Sequence, residues 1–172
     1  ASDFDRKSIT DIYYNAAYLS KIIKNIKKYQ TILRIKIVKN LSIIKKFYIK
    51  NGAIDKFSSI TSPKNRDTSN ALVICLYETT FFYEMISTNT PVILLLSQKR
   101  YKLIKTNYKK KYQILLKNNL LFLKKENLAK FIKKTDLNKW WLEKKTQNAL
   151  VRFKSGFFNI ENNKHVYFKK IL

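Results

Sequence analysis

Thr79 and Thr80 stand side by side just after the apolar run Ala71-Leu72-Val73-Ile74-Cys75-Leu76, and Glu84 follows four residues later. At the start of a helix, two hydroxyls and the first free amides stabilise an anion, because the helix dipole places positive partial charge there. Phosphate is the anion this pattern favours. Glu84, about one turn further in, is placed to accept hydrogen bonds from both hydroxyls of a ribose. A plainer reading stands beside it, in which Thr79 and Thr80 cap the helix and Glu84 is a solvated helix residue.

Other chemistry is thinly represented. Cys75, the single cysteine, lies within the most apolar run and can form neither an internal disulfide nor a cysteine zinc cluster. His165, the only histidine, sits in a polar stretch with no partner motif. The sequence shows no metal-ligand cluster. With Gly52 and Gly156 as its only glycines it has no Gly-rich phosphate loop, so P-loop and dinucleotide-dehydrogenase chemistry are unsupported.

The elements that must position these residues follow from periodicity. Ser8-Ile9-Thr10-Asp11 reads as a helix start, and Ile9, Ile12, Tyr13, Ala16, Leu19, Ile23 and Ile26 recur behind it at helical spacing. Residues 31–37 are β-branched and partly alternating, which predicts a strand. A helix follows over 41–50 and stops at Asn51-Gly52. Lys56 to Ile60 makes a short strand, and Ser62-Pro63-Lys64-Asn65 is turn chemistry. The run 71–76 has no polar alternation, as expected of a central parallel strand covered on both faces. Next come a helix over 79–87, a turn at Asn89-Thr90 and a strand over 91–96. Pro91 is tolerated as the strand's first residue. A helix over 102–116, a strand-like run over 120–123 and helices over 126–133 and 136–157 complete the pattern. Alternating strands and helices imply right-handed crossovers and a parallel sheet. The predicted class is α/β: a Rossmann-like parallel sheet flanked by helices, with a helical C-terminus. Residues 1–30 form an N-terminal linking helix, 31–158 the Rossmann-like domain and 159–172 a polar tail.

At 172 residues the chain fits one domain, and 45% hydrophobic residues suffice for a core. Apolar runs are strand-sized, far short of the roughly 20 residues a membrane-spanning helix requires. The first residues lack an initiator Met and any export signal, so the start is expected to be processed or preceded by further sequence, and a reducing cytoplasm is the expected location. The formal charge of +25, from 36 Lys and Arg against 11 Asp and Glu, invites a nucleic-acid partner. The excess is nearly all lysine, accompanies abundant Asn, Ile, Tyr and Phe, and is spread along the whole chain apart from Lys109-Lys110-Lys111. Solvated faces with a composition drifted by AT-rich coding account for such a distribution. Attraction to anionic membrane lipids, to a phosphorylated substrate or to nucleic acid remain the alternatives.

Thr79-Thr80-Phe81-Phe82-Tyr83-Glu84, then Pro91-Val92-Ile93-Leu94, resembles the hydroxyl-rich, acidic, proline-strand pattern in the C-terminal domains of GT-B glycosyltransferases and glycerophosphotransferases. Asp136-Leu137-Asn138-Lys139-Trp140-Trp141, followed by Gln147 and Phe153, is similar to a tail in a family of bacterial surface-carbohydrate transferases. Together the two segments place the resemblance over roughly residues 32–158. It implies the C-terminal half of a GT-B fold, with a donor site for a nucleotide-activated sugar or polyol phosphate. Thr79 and Thr80 would lie near the diphosphate and Glu84 on the ribose. Arg34, on the first strand, matches an arginine in that family that could face a phosphate. The Pro- and Gly-Trp-containing segment expected after it is replaced by Lys36-Ile37-Val38-Lys39-Asn40, and that departure favours reading Arg34 as a charged residue at a strand edge.

The partners implied by the resemblance are the nucleotide-sugar donor, a glycan or lipid-linked acceptor and a missing N-terminal GT-B half; no cofactor is implied. Trp140 and Trp141 admit sugar stacking, but neighbours on a helix cannot point the same way, so at least one is expected to pack the C-terminal helix onto the sheet. The competing readings are a basic α/β module that binds nucleic acid and a structural remnant without a ligand.

Overall fold

The computed structural model describes residues 6–24, 32–36, 41–51, 56–60 and 71–155. The polar tail, His165 and the turn at Pro63 lie outside these residues. The described elements are α1 (Arg6–Lys24), β1 (Ile32–Lys36), α2 (Leu41–Lys50), β2 (Lys56–Ile60), β3 (Val73–Cys75), α3 (Thr80–Ser87), β4 (Val92–Leu95), α4 (Gln98–Leu103), α5 (Thr106–Lys117), β5 (Leu121–Phe122), α6 (Lys125–Lys134), α7 (Leu137–Leu142) and α8 (Lys144–Lys154). Strand and helix alternate as the periodicity predicts. All described strand pairs are parallel: β1 with β2, and β3-β4-β5 in that order.

The β3-β4-β5 sheet carries the main core. Every residue of β4 is buried, and Leu96 just beyond it is too. Continuous burial without alternation means that both faces are covered, which is the reason the strand could be written Val-Ile-Leu-Leu. Strand order runs in one direction, so right-handed crossovers place α3 and α5 on the same face. There α8 packs against both. The other face is covered by α6, which meets β5 through Phe131 on Phe122, and by α1 packed on α6. Leu19 of α1 is part of the same core. A smaller cluster joins α1 to α2 through Ala16, Ala17 and Tyr48, with Tyr13 set edge-on to Tyr48.

Three expectations are corrected. Helix α1 reaches back to Arg6, so Ser8 falls inside its first turn and does not cap it. The helix expected over 102–116 is two helices. Ser97 caps α4, accepting a hydrogen bond from the Arg100 amide at 3.2 Å, and the chain turns extended at Ile104, which packs partly buried against the core. The helix expected over 136–157 likewise breaks at Glu143 (φ −58°, ψ 135°). Asp136 caps α7 through bonds from the Asn138 and Lys139 amides, and Gln147 of α8 donates back to the Trp141 carbonyl oxygen at 2.6 Å. That break lets both tryptophans be buried at 4% exposure, Trp140 against Phe131. Neither is left open for stacking on a sugar.

A chain with two glycines needs another residue for left-handed turns. Asn89 (φ 54°) and Asn119 (φ 59°) supply them, between α3 and β4 and between α5 and β5. Asparagine is among the few side chains that tolerate this region.

Candidate functional site

In an open parallel sheet, loops leaving the carboxyl ends of the strands converge on one edge, where helix N-termini also point. Three such junctions are described here: β3 to α3 through Thr79, β4 to α4 through Ser97, and β5 to α6 through Lys124. Neighbouring strands are about 5 Å apart, so the first and last junction are separated by about 10 Å.

At the first junction Thr79 is the N-cap of α3. Its backbone is extended (φ −139°, ψ 163°), and its Oγ1 accepts a hydrogen bond from the Phe82 amide at 3.3 Å. The capping role weighed for Thr79 is therefore filled, and its hydroxyl hydrogen remains available as a donor. Thr80 follows as the first helical residue and is exposed. Glu84 is four positions further, on the same side of the helix, and is half-buried. Its carbonyl oxygen accepts from the hydroxyls of Ser87 and Thr88, which closes the C-terminal end of the helix. The structure thus brings Thr79, Thr80 and Glu84 together on one short helix. Arg34 lies in the middle of β1, opposite Ser58 of β2; its side chain is outside the description.

Residues that the sequence did not single out surround this helix start. Glu78, one position before the cap, pairs with Arg100 of α4 at 3.6 Å, and the Arg100 guanidinium lies over the Tyr77 ring, 5.8 Å from its centre. The pair ties the first junction to the second. Deeper in, the hydroxyls of Tyr83 and Tyr112 are 2.7 Å apart. Burial pushes both phenols above their ordinary range, Tyr83 chiefly by desolvation and Tyr112 by desolvation with the Tyr83 bond added. They are neutral hydrogen-bonding groups at physiological pH. Cys75, at the end of β3, is pushed up to about 12 by burial, so it holds no thiolate for nucleophilic work.

A cleft of about 250 Å³ opens on the same edge. Its walls come from Asp11 and Asn15 of α1, Ser97 and Gln98 after β4, and Lys124, Lys125 and Glu126 after β5. The cleft carries both signs of charge and its floor is the end of β4, Leu95 and Leu96. Thr79, Thr80 and Glu84 do not line it. The signal that could have located it is the pair of strand ends Leu96-Ser97 and Leu123-Lys124, each leading straight into a helix. Among the described residues no three His, Cys, Asp or Glu side chains gather where they could hold a metal ion, and no described helix is long and apolar enough to cross a membrane.

Comparison with curated proteins and with solved structures gives no match. A family model does match, over residues 15–172, and its description is LIC12162 family transferase. The matched range takes in both the β3-β4-β5 sheet with its carboxyl edge and the Trp140-Trp141 segment, and by this match the chain belongs to the LIC12162 family of transferases.

Proposed function

We propose that this transferase domain holds the activated donor at the carboxyl edge of the β3-β4-β5 sheet, the donor being a nucleotide-linked sugar or polyol phosphate used in building a bacterial surface glycan in the cytoplasm. The observation that carries this reading is the convergence of three strand-to-helix junctions on one edge, beside a cleft that is polar and charged. In this reading Thr80 and the hydroxyl hydrogen of Thr79 meet the diphosphate at the positive end of α3. Glu84, one turn below on the same side, accepts from the ribose hydroxyls. Arg34 is proposed as a further phosphate contact. The cleft between α1 and the junctions after β4 and β5 lies one to two strand spacings away and takes the transferred group. Departure of a diphosphate is helped by helix amides and cations, which stabilise charge as it develops. The acceptor, a glycan or a lipid-linked group, is brought by a second Rossmann-like half, as in a GT-B arrangement, and this chain alone is expected to bind nucleotide weakly and to transfer nothing.

Thermal melting with a panel of nucleoside diphosphates tests the reading. A ligand that binds only the folded state at a hundred times its Kd adds about 2.7 kcal/mol of stability, so at least one diphosphate should raise the Tm by several degrees. Thr80→Val and Glu84→Gln should each remove most of that rise without lowering the unliganded Tm. If no diphosphate shifts the Tm while DNA or RNA binds with a steep dependence on salt, the basic nucleic-acid module replaces this proposal.

A further inference from the structure

At the end of the sheet away from Thr79 the fold carries a second hollow. Asn118 closes α5 and leads through Asn119 toward the amino end of β5, and α8 runs beside it. Asn118, Lys144, Lys145, Asn148, Ala149 and Arg152 border an open hollow of about 430 Å³, a volume within the range of about 300 to 1,000 Å³ usual for small-molecule sites. Lys144, Asn148 and Arg152 are spaced by four and so stand in one row along α8. Ala149, itself buried at 3% exposure, forms the floor and leaves the room above it open.

The chemistry of the wall is one-sided. Three of its six residues are cations, two are amides and none is acidic. Among the described residues no carboxylate is within ion-pairing distance of Lys144, Lys145 or Arg152. Two other places in the fold set acids beside their cations: Arg100 has Glu78, and the carboxyl-edge cleft has Asp11 and Glu126 near Lys124 and Lys125. Like charges gathered in a concave wall repel one another, and the field they share attracts a counter-ion. One amide hydrogen of Asn118 goes to the Ile114 carbonyl oxygen at 2.7 Å, and a second remains on the same nitrogen.

We propose that this hollow binds a phosphate-bearing anion. Arg152 offers a planar fork to two phosphate oxygens, Lys144 and Lys145 add point charges, and Asn148 and Asn118 complete the cradle with neutral donors. In a parallel sheet the amino and carboxyl ends of the strands are opposite edges, so the bound phosphate belongs to a different molecule from the donor held near Thr80. The same chemistry is offered by a soluble diphosphate and by a phospholipid headgroup.

Two charge-matched triple variants test this. K144Q/K145Q/R152Q empties the hollow of cations, and K45Q/K46Q/K50Q removes the same charge from α2; all six residues are exposed, and circular dichroism melts check that both variants fold. Inorganic pyrophosphate is titrated by calorimetry, and vesicles of phosphatidylglycerol in phosphatidylcholine are tested by co-sedimentation. The unaltered chain and the α2 variant should bind at least one probe with affinities within about twofold, while the hollow variant binds it tenfold or more weakly. Binding of pyrophosphate assigns the site to soluble phosphates; binding of vesicles alone assigns it to a headgroup. Equal weakening in both variants, or no saturable binding of either probe, overturns the proposal. Pyrophosphate can also occupy the diphosphate site near Thr80, which both variants keep, so the titrations are run on a Thr80→Val background and the difference between the two triple variants reports on the hollow alone.

Discussion

On one face of the β3-β4-β5 sheet the Phe153 ring sits where three helices meet, edge-on to Phe82 and Tyr112 and stacked at 8° on Tyr83, and a Tyr83–Tyr112 hydroxyl bond closes the group. On the other face α1 and α6 meet with aliphatic and small residues, Leu19, Leu128, Ala129 and Ile132, and with Lys125 over the Tyr18 ring at 4.9 Å. The first face is locked by shape and direction. On the second, the Phe131 ring joins α6 to Phe122 of β5 and to Trp140 of α7, but the seam between α1 and α6 is held chiefly by apolar area, which is non-directional. Ring edges set the angles between α3, α5 and α8, whereas the aliphatic contacts between α1 and α6 carry no such preferred direction. The carboxyl-edge cleft is bounded by α1, on the side with the less directional contacts.

Breaking the aromatic lock should have the largest effect. Phe153→Ala removes a side chain at 0% exposure and is expected to cost about 3 to 5 kcal/mol, read from urea denaturation. Alkali comes next. Cys75, Tyr83 and Tyr112 all have raised pKa values in the folded chain, so the unfolded chain loses these protons first as pH rises. Stability is therefore full below about pH 9 and falls as the pH climbs towards 12, with Cys75 alone contributing a slope of about 1.4 kcal/mol per pH unit. Cys75→Ala should flatten that slope in a series of melts. Tyr112→Phe leaves the Tyr83 hydroxyl short of its partner and is expected to cost about 1 kcal/mol, and Y83F/Y112F less than the sum of the single changes. The smallest effect is expected on the other face, where Tyr18→Leu keeps an apolar side chain against the core and loses the Lys125 cation–π contact, worth about 0.5 kcal/mol at a partly exposed site. Comparable losses for Phe153→Ala and Tyr18→Leu would erase the distinction between the faces.

The alternation that predicted the class was written locally, and the structure follows it. Helix α2, β2 and the Thr79–Ser87 region with its following strand are where spacing and turn residues put them, because each is decided by a handful of consecutive side chains. The breaks at Ile104 and Glu143 were not legible, since neither is marked by glycine or proline. Ile104 leaves the helix to reach the core, and the turn at Glu143 buries two neighbouring indoles; both are decided by packing partners far along the chain. The candidate site divides in the same way. Thr79, Thr80 and Glu84 share one helix and could be read together. The cleft draws on α1 and on the ends of β4 and β5, and no spacing in the sequence joins Asp11 to Ser97 and Lys125. The Glu78–Arg100 pair was missed for the same reason.

β4 is bonded on both sides: it is in parallel register with β3 through Val92, Ile93 and Leu94, and Leu94 and Leu96 donate to the Leu120 and Phe122 carbonyl oxygens at 2.9 Å. With ladders on either side and helices above and below, no partial opening of one layer exposes it. Deuterium from solvent reaches the amides of Leu94 and Leu96 only when the whole domain comes apart, so their exchange clocks global unfolding.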